Sequence, residues 1–359
     1  MSTTPQARPG AGRLVYLDIA RGGGILLVVL AHAGLLGSAL GSWIYEFYMP
    51  LFFVIAGCLY GKSRARGVGA CLRRVGRLVR EYALTCALLF ALWLVVYGLR
   101  GHQNEIGRTL YSILYGRFYD PANPRLADNC WAGQLWFFAL MASGSALYFV
   151  LRHVGETLLP THPLARRAGL VLLLLAAAAL LRQTPVLLPW CLDTAPMAAL
   201  LLFAGSWLGE GHWLELPRSP ARTLPLAGAL AAYLLLHDTY DLHMRYYGRW
   251  PGIAGACCFL AAGLCGSLLF ILLCRLAAKI PVVSGALAVV GRNSLPVFEF
   301  HILGIFIVQQ VLLRLPIAGW PLTLLTALGC LAVVPLCIGA RLGAEALWRR
   351  LFKRAPDSK

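Results

Sequence analysis

Apolar residues fill this chain in long blocks separated by short polar segments, none of them long enough to fold alone. Blocks of this length match the ~20 residues a helix needs to cross a hydrocarbon core. They predict spans at 14–37, 44–61, 81–99, 131–151, 168–181, 191–209, 223–237, 252–274, 294–313 and 322–340, about ten helices. The fifth and seventh are short, and are read as extended by their flanks or tilted within the bundle. The expected fold is therefore all-α, a polytopic membrane helical bundle. It forms one transmembrane domain over 14–343, between a cytoplasmic N-terminal tail (1–13) and a basic cytoplasmic C-terminal tail (344–359). No internal repeat of the kind that marks many secondary transporters is visible.

Composition agrees with the pattern: 59% of residues are hydrophobic and only 13% charged, with a mean hydropathy of +0.70. The net charge of +17 raises nucleic acid as a partner, but its distribution argues against that. With both termini cytoplasmic, the inner segments carry 23 of the 32 lysines and arginines and the outer segments 8, with Arg21 inside a span. That asymmetry follows the positive-inside rule, and shifting the parity of the spans reverses it. The charge is mainly a topology signal, partly available to acidic lipids. We expect a multi-pass protein of the cell (inner or plasma) membrane, with the lipid bilayer as partner and no nucleic acid. Arg8 and Arg13 precede an apolar run as in a secretory signal, yet the run is too long and contains Asp18 and Arg21, so it reads as a retained first helix. The eleven cysteines are scattered through apolar spans without a CxxC motif and read as packing residues. Cys130 and Cys191 both fall on the outer side, and the sequence leaves their pairing open.

The polar residues within the spans carry the chemistry. Arg21 and His32 are eleven positions apart, which at ~100° and ~1.5 Å per residue places them on one helix face, ~16 Å apart. Ionisable groups at such depth are costly and usually line a polar pathway or reaction chamber. Asp18 precedes Arg21 by one turn, and Gly22–Gly24 lets another helix or a ligand approach the backbone closely. A carbonyl-bonded His32 with a snorkelling Arg21 is the structural alternative; the shared face and the glycine run favour function. In the second span, Pro50 within FYMPLFFVIAGCLYGKS frees carbonyls that a neighbour must satisfy. Its final GKS lacks the spacing and strand of a phosphate loop.

The next inner segment holds Lys62, Arg64, Arg66, Arg73, Arg74, Arg77 and Arg80. Arg73, Arg77 and Arg80 share one helical face with Arg74 beside Arg77, suited to lipid phosphates or a phosphorylated soluble ligand, or simply to anchoring. The outer loop 100–130 begins as an interfacial helix bearing Leu110, Ile113 and Leu114, then becomes turn-rich. Outer aromatics Tyr111, Tyr115, Tyr119, Trp131, Tyr246, Tyr247 and Trp250 suit sugar stacking, although an interfacial aromatic belt explains most of them. Asp241 and His243 are too few for a metal site, and none is expected.

The series YLDIARGGGILLVVLAHA, FYMPLFFVIAGCLYGKS and RRVGRLVREYAL resembles the acyltransferase 3 family of integral membrane proteins, and within it the fucose 4-O-acetylase-like branch. GQLWFFALM, LPWCLDTAPMAALLLFAGSWLG, the loop DLHMRYYGRW and VVGRNSLPVFEFHILG continue the resemblance in collinear order. It implies that His32 is the catalytic residue and that Arg21, separated from it by the family's ten intervening residues, contacts the acyl donor. An Arg-x-x-Arg pair associated with acyl-CoA is met by Arg74 with Arg77, or Arg77 with Arg80. Glu299 matches a family-typical helix glutamate and His301 the late histidine. Tyr48 departs from the branch, which usually has histidine before Met–Pro, so acceptor choice is expected to differ here.

Acyl transfer from a thioester to a sugar hydroxyl needs a base or a nucleophile, and cationic or hydrogen-bonding groups where the thioester oxygen gains charge. His32 fits the first role, with Glu299 expected to orient its imidazole or that of His301. Arg292, before the ninth span, is a further donor-phosphate candidate or part of a helix cap. Asp193, His301, Tyr48 and Trp136 are the acceptor-binding candidates, with a structural hydrogen bond as the alternative for Asp193. No tightly bound cofactor is expected; acyl-CoA, acetyl-CoA first, is the donor substrate, and an extracytoplasmic carbohydrate the acceptor. The competing class is a transporter or flippase of a small solute or glycan, which requires neither the arginine face nor the matched His and Arg.

Overall fold

The computed structural model describes residues 14–35, 38–62, 67–97, 101, 104–120, 122–127, 131–211, 214, 220–236 and 252–352. The expected tail 1–13, residues 353–359 of the expected tail 344–359, and residues 237–251, with Asp241, His243, Tyr246, Tyr247 and Trp250, lie outside these residues, as does Cys130; residues 344–352 continue the last helix. In chain order the helices are α1 (Val15–His32), α2 (Ser38–Tyr45), α3 (Tyr48–Lys62), α4 (Val68–Val96), α5 (Asn104–Tyr115), α6 (Trp136–Leu158) and α7 (Pro163–Leu181). They continue as α8 (Ala195–Glu210), α9 (Pro220–Leu236), α10 (Gly252–Ala277), α11 (Pro281–Arg292), α12 (Ser294–Leu312) and α13 (Trp320–Phe352). Among the described residues no strand occurs, and nine helical stretches are long and apolar enough to cross a membrane. The chain forms the all-α polytopic bundle its hydropathy predicts, because in lipid a helix is what satisfies every backbone group within one segment.

Three differences from the predicted spans bear on the site. α4 begins at Val68 rather than 81, so the arginine-rich segment is the first half of a 29-residue helix. The segment 275–292, read as an inner connection, contains the separate helix α11, whose Ala288 and Gly291 are buried. The seventh predicted span appears as α9, 17 residues long with Pro225 inside it.

Glycines set the closest helix crossings. α3 and α8 run parallel with backbones touching: a Cβ on Gly57 would lie 2.2 Å from the Leu202 carbonyl oxygen, and one on Gly205 2.2 Å from that of Val54. α11 docks on α1 in the same way, since a Cβ on Gly291 would lie 1.8 Å from the Asp18 carbonyl oxygen. Small residues are how membrane helices gain packing when lipid supplies no hydrophobic drive between them. Gly291→Ala should therefore destabilise the bundle by about 1–3 kcal/mol, the usual cost of overpacking. Gly285→Ala on the same helix, where an added Cβ meets nothing within 4 Å, is the control. Unfolding midpoints in detergent that fall equally for both would refute this account of the crossing.

The loop after α5 is folded inward rather than lying as a free turn. Arg117, 1% exposed, pairs with Asp193 at the start of α8, and its Nε donates to the Leu188 carbonyl at 3.3 Å. The Asp120 carboxylate accepts from the backbone N–H of Leu187 at 3.0 Å. The Tyr115 hydroxyl donates to the Leu187 carbonyl at 2.9 Å, and the Trp190 indole N–H to that of Leu114 at 3.1 Å. Trp190 and Cys191 adopt positive φ of 52° and 56°, a costly conformation for such side chains. The network around Arg117 holds them there.

Candidate functional site

His32 ends α1, and α12 brings His301 beside it: the two ring centroids are 5.1 Å apart with planes inclined at 48°. The two rings differ in surroundings. His32 is exposed at the last position of α1. His301 is fully buried. Its Nδ1 lies 3.1 Å from the Val297 carbonyl and 2.9 Å from that of Phe298. A carbonyl oxygen only accepts, so Nδ1 bears the hydrogen and Nε2 the lone pair of the neutral ring. That Nε2 is buried and, among the described residues, has no hydrogen-bond partner.

Aromatic side chains enclose the pair on one side. Phe298 lies 5.9 Å from His301, Phe137 and Phe138 pack on Phe298 at 5.0 and 5.5 Å, and Phe53 packs on Phe137 at 5.1 Å. On the other, the Tyr45 hydroxyl donates to the carbonyl of Ala31 at 3.4 Å, one residue before His32. Tyr48, 8% exposed, packs edge-on against Tyr45 at 5.5 Å, so the residue that departs from the branch pattern lies one ring away from the α1 terminus.

Toward the other end of α1 the cations gather around Tyr60 of α3. The Arg74 guanidinium stacks 4.5 Å above the Tyr60 ring and 5.5 Å from Phe149. The Tyr60 hydroxyl bonds the Ser145 hydroxyl at 3.2 Å, and both Arg74 and Arg21 are close enough to act on it electrostatically. Arg74 of α4 and Arg21 of α1 thus both bear on the same tyrosine from different helices. Arg73, Arg77 and Arg80 are exposed instead, with Arg80 paired to Glu81 at 2.8 Å. Arg292 is exposed at the end of α11. The neighbouring rim of α6, α7 and α8 is a self-paired network: Arg152 bonds Glu156 at 3.0 Å, and Arg167 bonds Glu210 at 3.5 Å.

Glu299 is not placed beside either imidazole. It is 2% exposed, and its carboxylate meets Arg341 of α13 at 3.3 Å. Arg341 also bonds Glu345 at 3.2 Å and lies 3.9 Å from Glu81 of α4. The Gln134 side chain donates to the Glu299 carbonyl oxygen at 3.0 Å. Residues two apart on a helix diverge by ~200°. With His301 turned to His32, Glu299 faces away from that pair and joins α12 to α13 and α4. Asp193 is engaged by Arg117 and by the Thr194 hydroxyl, the structural alternative weighed for it. Trp136 starts α6 half-buried, and its carbonyl accepts from the Cys191 thiol at 3.5 Å.

Sequence reasoning missed Tyr60, Arg117, Gln134 and Arg341. Tyr60 stood inside a quoted motif, and its position one residue before the GKS end of a helix was the available signal. Arg117 and Arg341 carried none, since each was one cation among several on a polar segment. Among the described residues no group of three His, Cys, Asp or Glu side chains converges.

No curated protein and no solved structure matches the chain. The family model of the acyltransferase 3 domain, described as an acyltransferase domain, matches residues 14–342. A polytopic helical bundle matched over nearly its full length by that model has one placement: the protein belongs to the acyltransferase 3 family and is a membrane acyltransferase.

Proposed function

We propose that the protein moves an acyl group, acetyl first among them, from cytoplasmic acyl-CoA to a hydroxyl of an extracytoplasmic cell-surface or secreted carbohydrate, as the resemblance to the fucose 4-O-acetylase-like branch suggests. The observation that carries this reading is α1 itself. It bears Arg21, whose charge acts on the same Tyr60 that Arg74 stacks on, and an accessible His32 facing a second imidazole. Donor phosphates suit the arginine end, where guanidinium groups make charge-assisted hydrogen bonds. The histidine end suits the acceptor. His32 takes the proton of the sugar hydroxyl as its oxygen attacks the thioester carbonyl carbon. The C–S bond then breaks, and the departing thiolate receives the proton from His32.

The test is transfer in a lipid-reconstituted preparation, with acetyl-labelled acetyl-CoA and a panel of surface glycans. Base-labile label on a glycan is the expected result, with Arg74→Gln raising the KM for the donor about tenfold, the loss of one charge-assisted contact. No label on any glycan, together with uptake of a solute into the vesicles, would instead make the protein a transporter.

A further inference from the structure

Resting on the reading of His32 as the proton-transferring residue, we infer that His301 is a positioning residue for His32 rather than an acceptor-binding one. Its hydrogen is committed. The Nδ1–H is held by the carbonyls of Val297 and Phe298, one turn back on its own helix, so the ring cannot spin and its Nε2 lone pair is aimed in one direction. That lone pair is fully buried and accepts nothing from the described residues. Among them, the rings in contact with His301 are those of His32 and Phe298, and of the two the imidazole has an N–H to give.

A centroid separation of 5.1 Å lets a His32 nitrogen turn to hydrogen-bonding distance of Nε2, or bridge to it through one water. His32 has the freedom to do so, being the last residue of α1 with accessible surface. Catalytic hydrogen bonds commonly tighten only when substrate is bound. Once one His32 nitrogen donates to His301, its other nitrogen must carry the lone pair in the neutral ring. That nitrogen is the base. His301 does for His32 what a carboxylate does in a hydrolase triad, fixing tautomer and direction, without adding a negative charge beside Phe298 and the aromatic side chains packed on it. The proton passes from hydroxyl to His32 to thiolate, and His301 stays neutral with its Nδ1–H in place throughout.

Amide substitutions separate the two nitrogens of His301. Asparagine can replace the Nδ1–H donor to the helix carbonyls, and glutamine places an amide oxygen near Nε2. His301→Gln should keep kcat within about tenfold of the wild type, whereas His301→Asn should lose about a hundredfold in kcat, the scale of misdirected acid–base catalysis, with both KM values little changed. In a His32→Ala background, His301→Asn should cause no further loss, because residues acting as one unit are non-additive. The inference is overturned if Asn retains the wild-type rate, if the acceptor KM rises in place of the fall in kcat, or if the two losses multiply. Full activity of His32→Ala alone would sink the base reading instead. The unfolding midpoint of each variant in detergent identifies a loss caused by misfolding, and His301→Gln then still decides the question.

Discussion

His32→Ala is expected to lower kcat/KM for acyl transfer by about 10²–10⁴-fold, equivalent to about 3–5 kcal/mol of barrier, while the bundle remains folded. The separation of the two effects follows from where the ring lies. His32 closes α1 with accessible surface, so truncating it deletes chemistry but little packing. The buried face of α1, including Ile25, Val28 and Val29, is untouched. KM for the donor should hold, because the arginines act near Tyr60 and not at His32. Single-turnover transfer measured beside an unfolding curve makes the comparison, and a variant that transfers at the wild-type rate removes His32 from the mechanism.

Arg117→Met is expected to cost about 3–5 kcal/mol of stability, the usual price of leaving a buried charge without its partner. Arg117 and Asp193 have 1% and 8% of their side-chain surface exposed, so water cannot replace the lost guanidinium. The same guanidinium holds the Thr194 hydroxyl at 3.2 Å and the Leu188 carbonyl, and the positive-φ residues Trp190 and Cys191 lie between these points. Arg117→Met/Asp193→Leu should recover most of the loss, since an apolar pair of similar volume commonly substitutes for a buried ion pair. Denaturant titration in mixed micelles reads both. A single variant as stable as the wild type, or a double variant no better than the single, would show that the pair does not hold this loop.

The helical spans were legible because lipid leaves the backbone one solution, and the apolar blocks announce it. Rotation of each helix about its own axis was not. Arg73, Arg77 and Arg80 share a face in any helical reading, yet the side chain turned to the protein is Arg74, because Tyr60 of α3 and Phe149 of α6 offer it rings. Local spacing has no access to that choice. The pairing of Asp193 with Arg117 depends likewise on a loop fold with no periodic signature. Glu299 and His301, two residues apart, diverge on α12 by ~200°, so the turn of the helix that brings His301 to His32 carries the Glu299 carboxylate to Arg341 of α13. The meeting of His32 and His301 depends on α12 packing on α1 across most of the chain's length, which one sequence does not encode in any local pattern.

The glycine crossings have a consequence for how turnover is paced. α1 is pressed backbone to backbone against α11 at Gly22 and Gly291, and α3 against α8 at Gly57 and Gly205. Alternating access depends on rocking one bundle against another, and helices welded at carbonyl contact have little play for it. Arg21 and His32 are fixed points on a stationary post. On the proposed reading, turnover is then expected to be paced by substrate entry, product release or bond-making rather than by a swing of these helices.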